Sequence, residues 1–416
     1  MCSEDPALHC LVTFINCLPA WFGGDVVGWA RGLVDVWQVY LQAVQVAPYS
    51  QQPVIHQFAC GMCFMTNHLT IVADLQTEGE GQFDWAGVRT IMDVANESYS
   101  HSLHSRATTE LVSVNVNLIN CDVWPVVIHY GNLEVASRQF DCIVRDTARL
   151  MDEASPEDDH TRIFCAGATP FALFAIGRRE LATTFLRDVM GIDVALPDEE
   201  LLSDAGHWMY SATQSLTYVK LLLVLVDSSL SAEQTTALMS AVPTSPHDFA
   251  RQALDLPDGM GVLMPMYNLH VYLSPCALAA FVFCQLGWDE QAHTFAEEAL
   301  LGDLSRGGDT IASTRVFALM VRAQLHARRG DLAAAVAAFD EAASIAERVG
   351  LSLYEVFALH AWRAAVSAAG DHELAAAEST RLDEIDGRWS RVCAKMESPP
   401  ERFLELAEQV WRPIGR

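Results

Sequence analysis

The segment Arg329-Gly330-Asp331-Leu332-Ala333-Ala334-Ala335-Val336-Ala337-Ala338-Phe339-Asp340-Glu341-Ala342-Ala343 decides how this chain is read. Glycine ends a helix at little cost because it enters the left-handed conformation freely. The aspartate after it can cap a new helix. Ala335, Phe339 and Ala342 then fall at i, i+4 and i+7, which is one face of that helix. Ala335 must be small if it sits where two helices cross most closely. The segment therefore predicts an antiparallel helix pair joined by a tight turn. Its apolar face can pack only on its own partner helix and on a neighbouring pair, so such units must stack.

The same signal recurs outward from this point. Gly287-Trp288-Asp289-Glu290-Gln291-Ala292 and Gly370-Asp371-His372-Glu373-Leu374-Ala375 repeat the glycine and the alanine five residues later, and the three glycines stand 43 and 40 residues apart. Weaker copies start at Gly131, with Ala136, and at Gly177, with Ala182, 46 residues apart. A fixed period of this size indicates a helical repeat array.

These residues resemble a tetratricopeptide repeat. The likeness runs from Arg329 through Ala335, Phe339, Asp340, Glu341 and Ala342, with further copies at Gly287 (Ala292, Glu297, Glu298, Ala299, Leu300) and Gly370 (Ala375, Leu382). The spacing exceeds the ~34 residues of the standard unit and is similar to the elongated repeats in the helical arms of large signalling ATPases. The resemblance covers about 270–390 well and 80–195 weakly. It implies an all-α fold, an α-solenoid of antiparallel helix hairpins wound as a right-handed superhelix. It constrains function only loosely, because such repeats carry many partners.

The expected organisation is an N-terminal helical cap over 1–78, degenerate repeats over 79–230, an irregular Pro/Gly-rich connection over 231–269, repeats over 270–395 and a C-terminal capping helix in 396–416. The connection is expected from Pro243, Pro246, Pro257, Gly259, Gly261 and Pro265. The final helix, over Glu401 to Trp411, is expected because the end of a repeat array needs a covering element.

Composition narrows the function. The 416 residues carry 26 Lys and Arg against 53 Asp and Glu, a formal charge of −27, and 51% are hydrophobic. Disordered chains lack that apolar content. A strongly acidic surface repels phosphate backbones and anionic lipid, so neither nucleic acid nor membrane is expected as a partner. The two lysines, Lys220 and Lys395, follow no glycine-rich phosphate loop. The eleven cysteines lie mostly in apolar runs, as reduced core thiols do. Glu4 and Asp5 stand where a secretory leader carries basic residues, and the expected location is cytoplasmic.

Chemistry-bearing motifs are few. His56, Cys60, Cys63 and His68 have ligand types and spacing suited to tetrahedral zinc, but Phe58, Met62, Phe64 and Met65 interleave them, which favours a buried helix over a metal site. His101 and His104 read as loop residues rather than a general-base pair. His372-Glu373 lacks the second histidine of a zinc-protease pair, because position 376 is alanine. No cofactor, resident metal or catalysis is expected.

The family alignment places Phe281, Cys284, Phe317, Met320, Gln324, Phe357 and His360 toward the concave groove, on the first helix of each pair. The same positions can equally be core, as apolar stripes at helical spacing commonly are. Arg322 and Arg363 occupy packing positions of the family; either the helices are rotated or each arginine faces an acid. The leading expectation is a non-catalytic scaffold that binds a protein or peptide, basic or an amphipathic helix, through this groove. A regulatory or sensor arm of a larger signalling assembly, of the STAND-type ATPase or nucleotide cyclase kind, is the alternative. A helical metalloprotein using the His56 cluster is a third.

Overall fold

In the computed structural model of the chain, Gly330 adopts φ +80°, and the backbone around it closes as the sequence predicts. Gly330 N–H donates to Ala327 O at 3.0 Å and Asp331 N–H to His326 O at 3.0 Å, the paired bonds that end a helix on a left-handed glycine. The Asp331 carboxylate then accepts from Ala334 N–H at 3.1 Å and caps the next helix. The same pair of bonds recurs at Gly177 and at Gly287. A third recurrence, at Gly350, joins one hairpin to the next.

The structure describes residues 6–22, isolated positions within 32–39 and 131–148, residues 169–189, 191–192, 212–240, 242, 245–246, 275–301, 312–369 and 375–414. The chain divides into two compact units, Met1–Val126 and Val127–Arg416. In the first, helix α1 (Pro6–Phe22) buries Cys10 and Cys17. Cys17 is held by a bond from its thiol to Thr13 O at 3.2 Å.

The second unit holds the hairpins. Its elements are α2 (Arg179–Thr184, which loosens into a π-helical turn over Phe185–Val189), α3 (Ala212–Val226), α4 (Ala232–Ser240), α5 (Pro275–Leu286), α6 (Asp289–Leu301), α7 (Ala312–Arg328), α8 (Leu332–Val349), α9 (Ser352–Ala369), α10 (Ala375–Ala394) and α11 (Pro400–Val410). A further helical run over 169–175 leads into the Gly177 turn. From α5 to α10 each helix packs on the next, and the first helices of successive pairs also touch, α5 on α7 and α7 on α9. Among the described residues every regular element is helical and no strand occurs.

The small-residue positions are closed off as expected. Ala136, Ala182, Ala292 and Ala335 are fully buried, as are Phe339 and Ala342. Gly370 and the side chain of Ala375 lie outside the described residues. Helix α5 is apolar all round, and every residue from Cys276 to Cys284 is buried, so it forms the centre of the core. Aromatic rings run across the first helices as a ladder: Phe174 to Phe281 at 6.2 Å, Phe281 to Phe317 at 5.4 Å, Phe317 to Tyr354 at 4.9 Å. Edge-to-face pairs at these separations add attraction beyond area burial.

Helix α4 lies at the start of the stretch from residue 231 and opens on a reciprocal capping box: Gln234 N–H donates to Ser231 Oγ at 3.2 Å and Ser231 N–H to Gln234 Oε1 at 2.9 Å. The C-terminal helix does more than cover an end. Its face of Phe403, Leu406, Ala407 and Val410 is buried. Helix α11 packs on α9, and it also reaches the turns at Gly131 and Gly177, far earlier in the chain. At Gly131, φ is +62°, and a methyl group there would come within 2.5 Å of Met396 Cε and 2.7 Å of Phe403 Cζ. Glycine is needed at this turn for its conformation and for the room it leaves to α11.

Candidate functional site

The first helices of the hairpins supply the residues expected to line a groove, and the structure shows what covers them. Phe281, Cys284, Phe317, Met320 and Phe357 are buried; Gln324 and His360 are half-buried. The five apolar positions are therefore core in this state rather than open surface. Burial holds the His360 imidazole below its ordinary range, against the opposing pull of Glu408 on α11.

Part of the cover is the C-terminal segment. The Trp411 ring meets Phe281 edge-on at 5.4 Å, and its indole N–H donates to Phe357 O at 3.1 Å. The tail beyond it ends the neighbouring helix: Ile414 N–H donates to Gln285 O at 3.2 Å, and Arg328 donates to Cys284 O at 3.0 Å. Two carbonyls at the end of α5, which a helix leaves without internal partners, are thereby satisfied. At the opposite side, Arg179 donates to Gln409 O at 2.9 Å, Leu133 N–H to Ser398 Oγ at 2.9 Å, and Asn132 to Glu397. The segment from Glu397 to Ile414 is thus bonded at both ends and greasy in the middle. Sequence reasoning placed this helix but not its destination, and it missed Trp411 as the partner of Phe281 and Phe357 and missed Phe403 and Leu406 as partners of the Gly131 and Gly177 turns. The amphipathic spacing of Phe403, Leu406, Ala407 and Val410 was a legible signal that the helix has a docking face.

The arginines at packing positions each face an acid. Arg322 makes a two-pronged pair with Glu297, both bonds at 2.8 Å, and Arg363 reaches Asp386 at 3.2 Å. Arg328 to Asp289 at 2.5 Å and Arg315 to Glu341 at 2.8 Å bridge neighbouring helices in the same way. These pairs are partly solvated, so each contributes little to stability and more to register.

One ionic cluster is centred on a buried arginine, with its acids partly exposed. The Arg388 guanidinium, on α10, meets Asp340 at 2.8 Å and Glu347 at 3.3 Å on α8, with Ser344 between them. Glu355, in the first turn of α9, is buried beside it. Burial pushes the Glu355 carboxyl up to about 7, and Glu347 adds to the rise, while Arg388, Lys395 and Arg391 oppose it. Cys393 also faces this group, its own thiol raised to about 11 chiefly by burial. The folded state therefore favours the protonated acid. The stability it contributes is present below the usual carboxylate range and is lost as pH rises through about 7. Between pH ~5 and ~8, wild-type protein is expected to lose about 2–3 kcal/mol more unfolding free energy than Glu355→Gln, as measured by denaturant titration. Equal pH slopes would contradict this.

Among the described residues, no group of three His, Cys, Asp or Glu side chains is placed to hold a metal ion, and no helix is long and apolar enough to cross a membrane. His56, Cys60, Cys63, His68, His101 and His104 lie outside the described residues. Cys10, Cys17, Cys276, Cys284 and Cys393 are free and buried. Burial raises the thiols of Cys276 to about 12 and of Cys284 to about 11, which makes them poor nucleophiles.

No protein-family model matches this sequence, and comparison with curated proteins returns no match. The functional reading therefore rests on the geometry above: helices packed in sequence, and an amphipathic helix laid against α9 and the Gly131 and Gly177 turns, with Trp411 and Ile414 beyond it reaching α5.

Proposed function

We propose that this chain is a non-catalytic, tetratricopeptide-like α-solenoid, and that it binds an amphipathic helix of a partner protein on the surface its own α11 now covers. The observation that carries the reading is the seating of α11 and Trp411. Phe403, Leu406, Ala407, Val410 and Trp411 stand at i, i+3, i+4, i+7 and i+8, the spacing with which one helix enters a hydrophobic groove. A surface that holds such a helix in cis has the shape to hold one in trans. The chain's charge of −27 favours a partner helix whose polar face is basic. That face would exceed α11 in charge complementarity, because α11 exposes Glu401, Glu405 and Glu408.

Binding in trans requires α11 to leave, so the affinity seen with intact protein is reduced by the small fraction of molecules in which it has left. The test uses a fluorescent peptide spanning residues 399–416 and the full-length chain. Phe403→Asp with Leu406→Asp in the chain's own α11 is expected to tighten peptide binding by about tenfold or more over wild type. A peptide carrying Glu401→Lys, Glu405→Lys and Glu408→Lys is expected to bind tighter still at low salt. A double variant that keeps its helical circular dichroism yet shows no saturable binding would overturn the proposal.

A further inference from the structure

Beside the Gly177 turn, where α11 ends, the structure contains a half-open cavity of about 600 Å³ lined by Arg178, Arg179, Glu180, Gln409 and Arg412. Its three arginines come from two segments more than two hundred residues apart in sequence, against one acidic residue in the lining, Glu180, and one outside it, Asp141. In a chain with twice as many acids as bases, this is an unusual concentration of positive charge.

The three arginines differ in how they are compensated. Arg178 pairs with Asp141 at 2.7 Å and also donates to Ser137. Arg179 has no carboxylate partner among the described residues. One of its terminal nitrogens donates to Gln409 O, its guanidinium carbon lies 4.9 Å from the centre of the Phe174 ring, and its Nε is shut off from solvent with no hydrogen-bond acceptor. Arg412 is exposed and pairs with no acid among the described residues. Burial, and then the neighbouring Arg412, push the Arg179 guanidinium below its ordinary range. Two cations that repel each other in a partly enclosed space cost free energy that a shared anion removes.

We infer that this cavity binds a small phosphate-bearing anion, held by Arg178, Arg179 and Arg412. The guanidinium fork matches a phosphate's oxygens two at a time. Three forks against two carboxylates, Glu180 and the Asp141 on Arg178, leave the site net positive, and their paired N–H groups suit the several oxygens of a phosphate better than a monocarboxylate. The volume is within the range of small-molecule sites and exceeds what a bare phosphate fills, so the ligand is an organic phosphate of metabolite size. Because Arg412 follows α11 directly while Arg178 and Arg179 belong to the Gly177 turn, the bound anion also ties the C-terminal segment to that turn. The site stands on its own side chains and does not depend on the groove binding a partner helix.

Calorimetric titration of the full chain with pyrophosphate at physiological ionic strength tests this. Wild type is expected to show saturable one-to-one binding, with inorganic phosphate competing and acetate at the same ionic strength not competing. Arg412→Ala removes an exposed, unpaired side chain, so it is expected to leave the thermal midpoint unchanged while weakening pyrophosphate binding by about tenfold or more. Glu180→Gln, which takes away the carboxylate in the lining, is expected to tighten it. If Arg412→Ala shifts the midpoint, Arg178→Ala replaces it as the deciding variant, with the same weakening expected. Undiminished pyrophosphate binding in the deciding variant, or no saturable binding by wild type, would overturn the inference.

Discussion

Phe317→Ala is expected to lower the free energy of unfolding by about 3–5 kcal/mol. Phe317 is fully buried at the middle of α7, with rings on three sides: Phe281 at 5.4 Å, Phe171 at 5.9 Å and Tyr354 at 4.9 Å. Those rings come from three other helical segments, so the cavity left behind cannot close by moving one of them. The loss combines the transfer free energy of the ring with the cost of the void. Phe317→Asp would bury a charge without a partner and is expected to abolish folding. Chemical denaturation should show a lower midpoint for Phe317→Ala with an unchanged slope. A cost below ~1 kcal/mol would mean that Phe317 is exposed groove surface after all.

The second large effect is local. Phe403→Ala is expected to destabilise the docking of α11 by about 2–4 kcal/mol while leaving the hairpins from α5 to α10 folded. Phe403 is fully buried, against Met396 and the Gly131 turn. The helix it anchors is 11 residues long, too short to persist alone in water, so an undocked α11 unravels. Limited proteolysis is expected to remove the C-terminal segment from the variant far faster than from wild type, leaving a resistant core. Simultaneous degradation of the whole second unit would show that α11 and the hairpins open together.

The contrast between these residues shows what the sequence made legible. The turn at Gly330 could be read locally because its determinants lie within six residues: a left-handed glycine, a capping aspartate and an alanine at the crossing. Helix α4 carried an equally local signal, the Ser231 and Gln234 capping box, but the prolines and glycines downstream of it outweighed that signal. The pairs Arg322 with Glu297 and Arg363 with Asp386 could be posed only as alternatives, since which acid faces an arginine depends on the rotation of two packed helices. The seating of Trp411 on the Phe281 ring and the Phe357 carbonyl was beyond reach for a different reason. A greasy face on α11 announces that it must dock somewhere, and hydrophobic attraction has no direction. The arginine-lined cavity was hidden for the same reason, its members being separated by most of the second unit.

Hydrogen exchange mapped by mass spectrometry on full-length wild type and on the Phe403→Asp, Leu406→Asp variant tests most directly whether the C-terminal helix is the occupant of the repeat surface. Faster exchange is expected in the variant over 400–412 and, together with it, over the two segments it touches, 275–286 and 352–362, with 332–349 unchanged. Faster exchange confined to 400–412, with 275–286 and 352–362 as protected as in wild type, would contradict it.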